Sequence, residues 1–135
     1  MRRNTPRRAR RDRQVARPRR EFWQVLFPWC WFCERQRSEC THEMASGSGN
    51  RHAAVADRIA WASACWNCNC DRLTDNGGAG QWPLAKQLAV KWIYDRAYYD
   101  RVAFNRLRGR ADDAISQAEV VLWVCRILDA GRKGR

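Results

Sequence analysis

Apolar positions fall into distinct patterns along the chain, and each pattern predicts a different kind of element. Leu84, Ala85, Leu88, Ala89, Trp92 and Ile93 recur at helical spacing on one face, and Pro83 stands where the first turn of a helix tolerates it. Further on, Ser116-Gln-Ala-Glu119 reads as a capping box ahead of VVLWVCRILDA, with Gly131 placed to end that helix. The run is apolar nearly all round, so it belongs inside the core or against a partner chain, and burial is the simpler outcome. Between these two, residues 98–107 predict a short helix closed near Gly109. Upstream, residues 22–32 are aromatic and β-prone around Pro28, ECTHEM at 39–44 reads as a short strand, and ASGSGN at 45–50 as a Gly/Ser loop. HAAVADRIAWASA, residues 52–64, sets Val55, Ile59 and Ala62 on one stripe and predicts a helix.

Charge divides the chain where hydropathy does not. With 135 residues, 45% of them apolar and eight of them Trp, there is material for one small domain and its tails. The net charge of +12 sits at the ends: residues 1–20 carry Arg2, Arg3, Arg7, Arg8, Arg10, Arg11, Arg13, Arg17, Arg19 and Arg20 against Asp12 alone. Arg132, Lys133 and Arg135 add to it at the C-terminus, leaving thirteen bases against thirteen acids between. An arm with so few apolar residues gains too little from burial to offset its ordering entropy, which predicts a disordered segment over 1–21 that seeks a polyanion. Arginine without lysine favours bidentate phosphate contacts. The domain then spans 22–131, as a core at 22–76 and a helical extension at 82–131, followed by a basic tail at 132–135. The apolar run after Arg20 contains Pro28 and meets Glu34 and Arg35 after about a dozen residues, too short and wrongly flanked for a signal or a membrane span. A cytoplasmic protein without a membrane partner is therefore expected.

Seven cysteines, an odd count that includes two C-x-x-C pairs, point to metal rather than to a disulfide scaffold. Cys30, Cys33, Cys65 and Cys68 predict one tetrahedral structural Zn²⁺ with four thiolate ligands. Cys70 is an alternative to Cys68, Cys40 is unassigned, and Cys125 in its apolar helix reads as a buried small hydrophobe. His42 and His52 are the two histidines, which leaves no Ser/His/Asp constellation.

What lies between the cysteine pairs resembles the HNH endonuclease family in its zinc-stapled form. The matching parts are Cys30-x-x-Cys33, His42 in THEM, the loop SGSGN and Cys65-x-x-Cys68-Asn69. The stretch from Trp82 to Lys91 and the segment FNRLRGR at 104–110 look, less specifically, like those of small phage and bacterial HNH proteins. The resemblance implies an α+β, zinc-stapled, treble-clef-like ββα-metal core with appended helices. It also implies metal-dependent hydrolysis of DNA, with His42 as general base and Asn69 as ligand of a catalytic Mg²⁺ or other divalent ion. Where the family pattern carries an Asp or His ligand, this chain has Thr41; in a register shifted by one, His42 becomes the ligand and Glu43 the base. Arg108 and Arg110 flank Gly109 as candidate phosphate contacts. A zinc module that binds DNA or RNA without cutting is the alternative, and a protein-interaction adaptor a third.

Overall fold

The computed structural model describes residues 17–44, 57–70 and 82–133, without the side chains of 17–20, 70, 132 and 133. The loop at 45–50, His52 and Val55 lie outside them, as does the arm up to residue 16. Helix α1 spans Arg17–Leu26. It begins inside the stretch expected to be disordered and occupies part of the stretch expected to be β-prone. Its reason is tertiary: Trp23 is completely buried, with ring centroids 4.7 Å from Phe27, 5.6 Å from Trp31 and 5.6 Å from Trp61. Aromatic residues favour strands only through the neighbours they pack on, and here those neighbours are met from a helix.

A tight loop follows, closed by backbone bonds from Cys30 N–H to Gln36 O (2.9 Å), Glu34 N–H to Cys30 O (3.0 Å) and Ser38 N–H to Pro28 O (2.8 Å). Glu34 takes a left-handed conformation with φ of 58° at its tip. The loop leads into β1, Cys40–Glu43, which pairs antiparallel with β2, Trp61–Ala64, in the register Cys40 with Ala64, Thr41 with Ser63, His42 with Ala62 and Glu43 with Trp61. The helix expected over 52–64 is thus corrected: its described part is a 3₁₀ turn, Arg58–Ala60, capped by Asp57 and followed by a strand. Alanine favours helices, but Ala60, Ala62 and Ala64 are each fully buried, and their small side chains let the hairpin lie close under the rest of the core. Ser38 and Ser63 join the loop to β2 through their hydroxyls, and Ser63 Oγ donates to Phe27 O at 3.0 Å.

Directly after β2 the chain turns into α2, Trp66–Cys70. The helical extension comprises α3, Leu84–Tyr94; a 3₁₀ turn, Arg96–Tyr98; α4, Arg101–Leu107; and α5, Gln117–Lys133. Pro83 caps α3, whose predicted face is met at Ala85, Leu88 and Ala89, all buried. Gln87, Val90 and Lys91 are buried too, so α3 is enclosed on more sides than its apolar stripe required. The helix expected from residue 98 starts later because Asp100 accepts from Ala103 N–H at 3.0 Å and sets the cap there. Gly109, at φ of 70°, ends the segment in a conformation that suits a residue without Cβ. The described chain is α+β, with one two-stranded sheet and helices around a single main core.

Helix α5 differs from expectation in two ways. It runs through Gly131 to Lys133 instead of stopping, and it buries one face only: Val120 and Val124 pack into the core while Val121, Leu122 and Leu128 are exposed. Cys125 is also exposed, correcting its reading as a buried hydrophobe. The capping box is present, with Glu119 N–H donating to Ser116 Oγ at 3.2 Å and Ser116 N–H to Glu119 Oε1 at 3.2 Å. Ser116→Ala is expected to cost about 1 kcal/mol, measured by denaturant unfolding; a variant as stable as the parent would show that the cap adds nothing. None of the helices among the described residues is long and apolar enough to cross a membrane.

Candidate functional site

Two backbone turns build the cysteine cluster. The loop after α1 presents Cys30 and Cys33, and the junction of β2 with α2 presents Cys65 and Cys68. Hairpin pairing brings the turns together, because Cys40 opposite Ala64 leaves both loop ends at the same end of the sheet. The four Sγ atoms lie within 4.8 Å of one another, so Cys30, Cys33, Cys65 and Cys68 could hold a metal ion, as their spacing predicted. Cys40 is half-buried in β1, and the side chain of Cys70 is outside the described residues.

The chemistry of the donor set fits a soft dication. Burial opposes ionisation of Cys33, but the backbone N–H groups of Arg35 and Gln36, with the Cys30 and Cys68 thiols, outweigh it and bring that thiol down to about 7. Burial pushes the Cys65 thiol up, and a Cys30 charge adds to it. Cys68 is driven far up by burial, by its hydrogen bond to Cys65 and by negative charge at Cys30 and Cys33. One thiolate forms readily and then hinders the others, a repulsion that a bound cation removes. The turns also offer N–H groups to sulfur: Cys68 N–H reaches Cys65 Sγ at 3.5 Å.

On the same hairpin, the His42 ring is only 7% exposed and sits between two amides. Its Nδ1 lies 3.2 Å from Asn69 Oδ1 on α2, and its Nε2 lies 2.8 Å from Gln87 Oε1 on α3. Gln87 in turn donates from Nε2 to Trp82 O at 2.8 Å. Phe32 meets the imidazole edge-on with centroids 5.7 Å apart. Burial holds the His42 pKa below the ordinary histidine value, against the raising effects of Gln87, Asn69 and the Glu43 charge, so the ring is neutral at neutral pH. Glu43 closes β1 opposite Trp61 and is half-buried.

The predicted pair His42 and Asn69 is therefore brought together, and the cysteine turns on either side explain how. Asn69 is held because its own N–H donates to Cys65 O at 3.0 Å, the carbonyl of the residue that carries one of the sulfurs. Gln87 received no role from the sequence. The available signal was a polar residue within the otherwise apolar face of a helix, three residues after Leu84. Lys91 carries the same signal: it is fully buried, and its Nζ donates to Arg58 O (2.7 Å), Trp61 O (2.8 Å) and Asp95 Oδ2 (2.7 Å).

Among the candidate phosphate contacts, Arg110 is exposed and Arg108 half-buried. Arg106, their neighbour, is committed to Asp112 through two bonds of 2.8 and 2.9 Å. Arg2, Arg3, Arg7, Arg8, Arg10, Arg11 and Arg13 lie outside the described residues, and Arg17, Arg19 and Arg20 are described by backbone alone. Comparison with protein-family models, with curated proteins and with solved structures found no match to the chain.

Proposed function

We propose that the chain is a metal-dependent DNA endonuclease of HNH type, on a treble-clef-like ββα core whose four cysteines hold a structural Zn²⁺. The observation that carries this is the approach of His42 Nδ1 to Asn69 Oδ1, 3.2 Å apart on a strand and a helix that the cysteine turns fasten together. Two cis ligands of an octahedral ion at about 2.1 Å lie roughly 3 Å apart, so the pair is spaced to share Mg²⁺ or a similar cation. Of the two registers, the one with His42 as ligand fits better, since the ring is buried between amides with little room for a reacting water. Glu43, at the end of the strand and close enough for its charge to act on the ring, then takes the proton of the attacking water. A divalent ion bound by the pair supplies electrostatic stabilisation of the phosphate and of the leaving oxygen. The arginines of the arm, with Arg108 and Arg110, hold the DNA backbone through contacts that weaken as salt rises.

Supercoiled plasmid incubated with the zinc-loaded protein and Mg²⁺ or Mn²⁺ is expected to become nicked or linear. His42→Ala and Glu43→Gln should each slow this by at least about a hundredfold, and only His42→Ala should also weaken binding of the catalytic ion. Burial of His42 with both ring nitrogens engaged favours a second reading, a zinc module that binds DNA or RNA without cutting. Plasmid left intact under every metal, yet retarded in a gel, would select it.

A further inference from the structure

Gln87 is a neutral amide sealed inside the helical extension, and its two bonds have a direction that cannot be reversed. Trp82 O is a backbone carbonyl and can only accept, so the group facing it must be the Gln87 NH₂, at 2.8 Å. That leaves Oε1 toward His42 Nε2, also at 2.8 Å, and a carbonyl oxygen can only accept there too. Turning the amide over would set oxygen against oxygen at Trp82. The neutral ring must therefore carry its proton on Nε2, and Nδ1 is left with a lone pair facing Asn69, whose amide meets it with NH₂ when no ion lies between them.

From this geometry we infer that Gln87 is a positioning residue which fixes the tautomer of His42 and so keeps Nδ1 available as a ligand. What Nδ1 then binds rests on the function proposed above; where the proton sits does not. Without Gln87, the ring gains by moving its proton to Nδ1 and donating to Asn69 Oδ1 across the existing 3.2 Å gap. That tautomer has no lone pair facing the amide, and the cation site is closed from within. Sequence separates the parts widely, since His42 and Gln87 are 45 residues apart, and α3 meets the hairpin only in the folded chain. Second-layer groups that orient a ligating histidine in this way commonly change metal affinity by about ten- to a hundredfold when removed.

The test reads the proton directly, by ¹⁵N NMR of the His42 imidazole in zinc-loaded protein with neither DNA nor a second ion present. Wild type is expected to carry the proton on Nε2. Gln87→Met, of similar volume, should move it to Nδ1 while leaving zinc content unchanged, and should weaken Mn²⁺ binding about ten- to a hundredfold. Gln87→Glu keeps an acceptor at the same place and should retain the Nε2 proton. A proton on Nδ1 in wild type would overturn the inference without any variant, so poor folding of Gln87→Met does not shield it. A folded Gln87→Met that still carries the proton on Nε2 would overturn it equally. Intact plasmid in the cleavage assay counts against the nuclease reading and leaves the tautomer result standing.

Discussion

Cys65→Ser is expected to abolish metal binding and, with it, the cooperative fold of the hairpin core. Cys65 is 2% exposed and Cys30 1%, so neither can be replaced by a ligand from solvent without opening the protein. Structural zinc contributes roughly 10–16 kcal/mol of apparent binding energy at neutral pH, against a net stability of about 5–15 kcal/mol for an ordinary domain. The sheet beside the four cysteines has two strands of four residues each, too little to stand alone in water. Zinc analysis should find one ion per chain in wild type and none in the variant, and near-ultraviolet circular dichroism should lose the signal of the packed tryptophans. Acid should act in the same direction, because each thiol must lose its proton to bind as thiolate, so metal affinity falls as pH falls. A Cys65→Ser protein that melts like wild type would remove the basis for a structural metal.

Lys91→Met is expected to cost about 3 kcal/mol although it exchanges a charged side chain for an apolar one of similar length. Lys91 is the point where α3 is bonded to the 3₁₀ turn and to β2, through the carbonyls of Arg58 and Trp61. Methionine takes the ammonium donor from both carbonyls, although Arg58 O keeps the Trp61 N–H, and removes one of two partners from the buried Asp95 carboxylate, which keeps Arg58 at 3.0 Å. Titration gives a second measurement. Burial brings the Lys91 pKa down to about 8, against the raising effect of Asp95, so the folded form releases its proton more readily than the unfolded chain. Between pH 8 and the ordinary lysine value the unfolded state holds more protons, and this group's contribution to stability rises with pH. Below pH 8 both states are protonated and the burial cost is felt in full. Denaturant midpoints across that window should rise in wild type by an increment that Lys91→Met lacks. Equal slopes would mean that Lys91 titrates as it does in water.

Local signals in the sequence were reliable wherever a few neighbouring residues sufficed to satisfy them. Ser116 and Glu119 bond each other across three residues, and Pro83 opens its helix whatever lies beyond. The stop expected at Gly131 was not realised, because glycine permits a helix end without compelling one. The stretch at 52–64 misled for a related reason: its alanines favour a helix by a few tenths of a kcal/mol each, less than a strand gains when both faces are covered. Exposure of Val121, Leu122 and Cys125 was likewise unreadable, since a helix that is apolar all round does not say which face its neighbours will cover.

The sequence by itself determined the cysteine spacing that makes a four-sulfur site, the apolar stripe of α3, the capping box and the basic arm. Only the tertiary structure decided that the alanine-rich segment is a strand, that Lys91 and Gln87 are interior, and which amides flank the His42 ring. The physical reason is range. Helix caps, apolar helix faces and C-x-x-C turns are settled by groups within a few residues of each other, whereas a buried polar group is tolerated only if its partner arrives from elsewhere. For His42 those partners come from 27 and 45 residues away.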